Sequence, residues 1–242
     1  MSFYEPLGDG HFRATEHTSG PWDPQHQHAG PPAALLGGEL ERCDPRDGAL
    51  LARVTFDILG PVPIAEVEVE VGVERPGRRV ELLAGELRAG GRAVVRARAW
   101  RVRRAAAPPT EQAAPPALPD TETPRPPSFA FGYGEAIEWR WASGGWLQPG
   151  PAEVWTRLKH PIVAGREPTP LQRILAVADS GNGVSAVLDW HRHLFINPEL
   201  TVHVLRAPEG EWVCLQAHTE IGAVGLAHSV LSDRTGPVAR GA

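Results

Sequence analysis

The chain has 242 residues, 42% hydrophobic and 22% charged, with a formal net charge of -5. That length permits one large domain or two of about 110 residues around a sizeable core. The acidic balance argues against a nucleic-acid surface and leaves any acidic substrate in need of a local basic patch.

Two cysteines, Cys43 and Cys214, stand far apart without CxxC or Cys/His ligand spacing. Free buried thiols are expected rather than a disulfide or a zinc site, and no metal or redox cofactor is implied. No apolar run approaches the roughly 20 residues of a membrane span, and MSFYEPLGDG lacks the basic and apolar regions of a signal peptide, so a cytoplasmic location is expected.

In chain order, HFRATEHTSGPW reads as a strand. QHAGPPAALLGGELERC then places tandem prolines at a helix start, with Leu35, Leu36 and Leu40 at helical spacing. AEVEVEVGVE alternates Val67, Val69, Val71 and Val73 against Glu66, Glu68 and Glu70, a period of two with one buried and one wet face. RRVELLAGELRA and RAVVRARAWRVRR give two more strands, joined by a turn at Gly90-Gly91. Residues 105–128 are dense in Pro and Ala without apolar periodicity. They should be an extended, mobile linker with no core contacts, between an N-terminal unit (1–104) and a C-terminal unit (129–242).

The second unit repeats the plan, with strands at EAIEWRWA and AEVWTRLK, a helix from Thr169, and strands at LTVHVLR, EWVCLQAHTEI, VGLAHSVLSD and PVARGA. A strand-rich unit that inserts one apolar helix and returns to antiparallel strands wraps a sheet around that helix. The fold expected is therefore α+β, a doubled hotdog. Its two sheets should pair edge to edge into one continuous sheet with both helices on one side, since each half alone leaves a strand edge open.

The helix from Thr169 carries a capping box, with Thr169 as N-cap, Pro170 at the first position and Gln172 reaching back. Leu171, Ile174, Leu175 and Ala178 form its buried stripe, and Asp179 borders that stripe before Ser180-Gly181-Asn182-Gly183 breaks the helix. An acid at a helix C-terminus opposes the macrodipole at a cost of about 0.3–1 kcal/mol. Asp179 is thus either a chemical group or the acceptor of hydrogen bonds from the SGNG turn.

The stretches LAVADSGNG, FINPELTVHVLRAPEGEWVCLQAHTEIG and GLAHSVLSDRTGPVARGA resemble the acyl-CoA thioesterase II family of double hotdogs, and HAGPPAALLGGELER looks like the matching first helix. The resemblance covers nearly the whole chain outside the linker. It implies hydrolysis of an acyl-CoA or acyl-carrier thioester, with coenzyme A only as part of the substrate, no nucleic-acid or membrane partner, and pairing of exposed edges into a homo-oligomer. In that family an Asp, a Thr and a Gln hold the attacking water. The resemblance puts Glu199 at the Asp position, one methylene longer, Thr219 at the Thr, and the Gln directly after Ala242, outside this sequence.

ADSGNG is also similar to the helix motif of single-hotdog thioesterases of the phenylacetyl-CoA group, which use a helix carboxylate and so point to Asp179. The first helix offers Gly37, Gly38 or Leu40 at the corresponding place, and its HAG start offers the Gly30 N–H to an oxyanion, with His28 to steer. Each residue has a plainer alternative. Glu199 also suits a turn, Thr219, His218 and His228 suit strand packing, and His26 and His28 suit a solvated loop. Two other functions stay open: a hotdog dehydratase or hydratase, for which only His28 and Asp179 could pair across the halves, and a non-hydrolytic acyl-thioester binding protein.

Overall fold

The computed structural model describes residues 1–105, 113–189 and 192–242. The first half consists of β1 (Tyr4–Gly8), β2 (His11–Ala14), α1 (Gly30–Arg42), β3 (Ala49–Ile58), β4 (Glu66–Arg75), β5 (Val80–Ala89) and β6 (Arg92–Arg103). The second half has α2 (Gly132–Ala136), β7 (Ile137–Gly145), β8 (Gln148–Leu158), α3 (Pro170–Ala178), α4 (Gly181–Val184), β9 (Glu199–Val204), β10 (Val213–Ile221), β11 (Gly225–Asp233) and β12 (Gly236–Gly241).

All the strands form one 12-stranded sheet in the order β1-β2-β4-β5-β6-β3-β9-β12-β11-β10-β8-β7. The halves join at β3 and β9, which pair antiparallel from Arg53 opposite His203 to Asp57 opposite Glu199. Neither strand edge is left open there, so the continuous sheet expected from the repeated plan is what forms. Alternation sets the faces: Val67 and Val69 of β4 are buried between exposed Glu66 and Glu70, while Val71 and Val73 are half-buried near the strand's far end.

The helices α1 and α3 pack against each other over the concave face. Close approach rests on missing side chains: a Cβ at Gly30 would overlap the Ala176 carbonyl, one at Gly37 would strike the Leu175 side chain, and one at Gly38 would strike Gln172. Gln172 also donates from Nε2 to the Ala34 carbonyl (3.2 Å). The C-terminal end of α1 is fixed by the buried Arg101, which donates to the carbonyls of Leu40 (3.0 Å), Cys43 (2.6 Å) and Asp44 (2.7 Å) and to Glu81 Oε1 (2.9 Å). Those carbonyls lack intrahelical partners, so the guanidinium satisfies them in place of water.

Three expectations need correction. HFRATEHTSGPW is a strand only as far as Ala14; the Thr15 hydroxyl then accepts from the His17 N–H and a single 3-10 turn follows at Glu16–Thr18. SGNG does not simply break the helix, because Asp179 and Ser180 keep right-handed helical angles and a further short turn, α4, follows.

The linker is also not free of contacts over its described part. Trp155 Nε1 donates to the Pro116 carbonyl (3.1 Å), and Arg140 Nη1 to those of Pro119 and Asp120 (2.8 Å each). The Thr123 N–H bonds the Trp139 carbonyl (2.8 Å), and the Trp141 N–H bonds the Thr123 hydroxyl (3.1 Å). Trp139, Arg140 and Trp141 belong to β7, the last strand of the sheet, and Trp155 to its neighbour β8, so this segment covers an edge that would otherwise be open. Residues 106–112 of the expected linker lie outside the described residues.

Candidate active site

The start of α1 meets the end of α3 where Gly30, lacking a Cβ, lies against the Ala176 carbonyl. Asp179 caps α3 there and is 6% exposed. Its capping box is present as the sequence predicts, with the Thr169 hydroxyl taking the Gln172 N–H and Gln172 Oε1 taking the Thr169 N–H. The helix therefore starts at a fixed residue, and its phase delivers Asp179 to the edge of the core.

Among the described residues, two groups face the carboxylate. Asn197 Nδ2 donates to Oδ1 (2.9 Å), and His28 Nδ1 stands 3.3 Å from Oδ2. His28 is not a solvated loop residue. Its N–H is tied to the Thr18 carbonyl (2.8 Å), and its ring lies flat on the Tyr133 ring, with centroids 3.9 Å apart and planes 6° apart. Burial holds its imidazole below the usual histidine value, and the neighbouring Asp179 charge pulls weakly the other way. Tyr133 is in turn fixed through its hydroxyl, which bonds the Ala176 carbonyl (2.9 Å) and Ser180 Oγ (2.7 Å). Burial raises the Tyr133 phenol well above its usual value, so it stays protonated.

His28 Nδ1 also lies 3.1 Å from the Gly30 N–H. One nitrogen cannot accept from Gly30 and donate to Asp179 at once. As the structure stands, the Gly30 N–H donates to His28 Nδ1; moving the imidazole proton to Nδ1, toward Asp179, would release that N–H. Pro31 and Pro32 carry no N–H and the Ala33 N–H is bonded to the Ala29 carbonyl, so among these four helix-start residues Gly30 alone has a donor that a change of His28 tautomer would free.

Thr219 lies on the concave face of β10, 4% exposed, and its hydroxyl bonds Ser185 Oγ (2.8 Å). Ser185 Oγ also bonds the Gly181 carbonyl (2.8 Å), placing Thr219 next to the turn that follows Asp179. Glu199 is not brought to this cluster. It is exposed, opposite Asp57 across the β3–β9 junction and on the face of Thr201, whose hydroxyl donates to Glu199 Oε2 (3.1 Å). The inward positions of β9 belong to Leu200 and Val202, both buried.

The arrangement thus holds one buried carboxylate, one neutral imidazole and one backbone donor at the junction of the halves. Sequence reasoning did not find Asn197, Asn182, Ser185 or Tyr133. Asn182 lies inside the SGNG stretch and Asn197 in the Asn-Pro-Glu stretch, where the visible signal was turn chemistry alone.

The sequence model of the acyl-CoA thioesterase C-terminal domain matches residues 109–242, and that of the N-terminal domain matches residues 18–102. No curated protein sequence matches the chain. Among solved structures, a provisional thioesterase II of Thermobifida fusca YX superposes with a TM-score of 0.75 at 16% identity, covering 98% of this chain and 92% of the other. A hot dog fold protein of unknown function from Alicyclobacillus acidocaldarius gives 0.73 at 16% identity, with 98% and 92% covered. Acyl-CoA thioesterase II TesB2 from Mycobacterium marinum gives 0.71 at 15% identity, with 98% and 91% covered. These likenesses establish the fold, the domain matches span both halves, and the chain therefore belongs to the double-hotdog acyl-CoA thioesterase family.

Proposed function

We propose that the protein hydrolyses acyl-CoA or acyl-carrier thioesters at the junction of its halves, with Asp179 as general base. The observation that carries this reading is the buried Asp179 carboxylate, held at one oxygen by Asn197 and facing with the other His28, whose Nδ1 also takes the Gly30 N–H. Water attacks the thioester carbonyl as Asp179 takes its proton. The carbonyl oxygen becomes an oxyanion that the Gly30 N–H receives once His28 donates to Asp179. The tetrahedral intermediate then expels the thiolate, which takes up the proton, giving a carboxylic acid and a free thiol. Thr219 supports the loop behind the base through Ser185, and Glu199, on the outer face, takes no part.

The test is release of free thiol from acetyl-, octanoyl-, palmitoyl- and phenylacetyl-CoA. At least one should turn over with kcat/KM of about 10⁴ M⁻¹s⁻¹ or more. Binding of all four without thiol release would leave the binding-protein reading. Hydration of an enoyl-CoA without thiol release would transfer the His28–Asp179 pair to hydratase chemistry.

A further inference from the structure

A carboxylate works as a base only when its lone pairs are aimed, and the bonds that aim Asp179 come from outside its helix. Asn197, in the segment leading into β9, donates from Nδ2 to Asp179 Oδ1 (2.9 Å). Asn182, in α4, donates from Nδ2 to Asn197 Oδ1 (2.7 Å) and to the Phe195 carbonyl (3.2 Å). The three side chains form a line in which one proton of Asn182 and one of Asn197 point toward the carboxylate, the other Asn182 proton going to Phe195.

The order of this line fixes the orientation of Asn197. Flipping its amide would turn an oxygen lone pair onto the carboxylate and set its NH₂ against the NH₂ of Asn182, so both contacts would become repulsive. Asn182 therefore does more than close a turn. By accepting no alternative at Asn197 Oδ1, it commits the Asn197 NH₂ to Asp179, and the Phe195 contact anchors the same segment to α4. With Oδ1 occupied, Oδ2 is left on the side of His28 and the Gly30 N–H, where a reacting carbonyl would lie.

We propose that Asn197 is a positioning residue for the Asp179 carboxylate, with its orientation set by Asn182. The inference rests on the reading of Asp179 as the base. Asn197→Ala should lower kcat by about 10–100-fold with KM within about twofold, since the base is misaimed while substrate contacts persist. It should also move the acid limb of the pH–rate profile to higher pH, because a carboxylate that loses a donor holds its proton more tightly. Asn197→Asp should be worse than Asn197→Ala, and Asn197→Ser, which keeps a donor, should recover part of the rate. Asn182→Ala should cost less than Asn197→Ala, and the double variant should be no worse than Asn197→Ala alone.

Each variant is checked for folding by urea denaturation. A ¹³C NMR titration of the Asp179 carboxyl in wild type and Asn197→Ala reads the same contact without turnover. An unmoved acid limb, or an unmoved titration, in folded Asn197→Ala overturns the inference. If Asp179→Asn abolishes hydrolysis while Asn197→Ala leaves it intact, the positioning role alone fails. If Asp179→Asn remains active, the reading beneath it fails.

Discussion

Gly30→Ala should be severe for a steric reason that does not involve backbone strain. A Cβ at Gly30 would overlap the Ala176 carbonyl oxygen, sit 3.1 Å from its carbon and 3.2 Å from His28 Nδ1, where ordinary contact begins near 3.4 Å. The obstacle is backbone, so no side-chain rotation relieves it, and α1 and α3 must part by roughly 1 Å, which costs about 1–3 kcal/mol. The same carbonyl accepts the Tyr133 hydroxyl, and weakening that bond adds about 1 kcal/mol. A destabilisation of about 2–4 kcal/mol follows. Because the displaced groups flank His28 and Asp179, kcat should also fall on the order of 100-fold. Gly37→Ala is the matched control: its Cβ meets only the end of the Leu175 side chain, which can turn, so the cost should stay under about 1.5 kcal/mol. Urea denaturation and thiol release on both variants make the comparison. A Gly30→Ala protein with wild-type stability and rate, or a Gly37→Ala protein that is the worse of the two, would refute the reasoning.

Other outcomes follow from the same structure. Arg101→Met should cost about 3–5 kcal/mol in urea denaturation, because it leaves the buried Glu81 with only its ion pair to Arg46 (3.0 Å) and strands the last carbonyls of α1; adding Glu81→Gln should recover part of that loss. His28 is held below the ordinary histidine value of about 6.5, so the unfolded chain binds the extra proton first, and stability should be full above that value and fall as pH drops through and below it. Comparing His28→Gln with wild type between pH 8 and pH 5 isolates this contribution, and parallel curves would contradict it.

The sequence exposed what local rules govern and concealed what register and long-range contact govern. The T-x-x-Q cap at Thr169, the alternation of Val67 and Val69 with glutamates, and the paired glycines between β5 and β6 are all short-range patterns, and all are present. Glu199 shows the opposite case. The motif locates it at the start of β9, but only the pairing of β9 with β3 decides that it shares the outer face with Asp57 and Thr201. The linker's second half reads as contact-free because its own side chains show no periodicity; its contacts are made mostly through backbone carbonyls, to Arg140 and Trp155. Asn182 and Asn197 are separated by 15 positions and meet only after α4 and the approach to β9 are folded, so no window of sequence shows them as a pair. Tyr133 likewise reaches His28 from the other half of the chain, and Ala176 from 43 positions away in its own half.

The central claim is that the working carboxylate is on the helix rather than at the start of β9, and paired variants test it most directly. Thiol release by Asp179→Asn and by Glu199→Gln should be measured side by side on the best acyl-CoA, with folding checked for both. Asp179→Asn should lose roughly 100-fold or more in kcat, since the amide keeps the shape and loses the basicity, while Glu199→Gln should stay within about twofold of wild type. The reverse pattern, with Glu199→Gln inactive and Asp179→Asn near wild type, would contradict the account and return the chemistry to the β9 carboxylate.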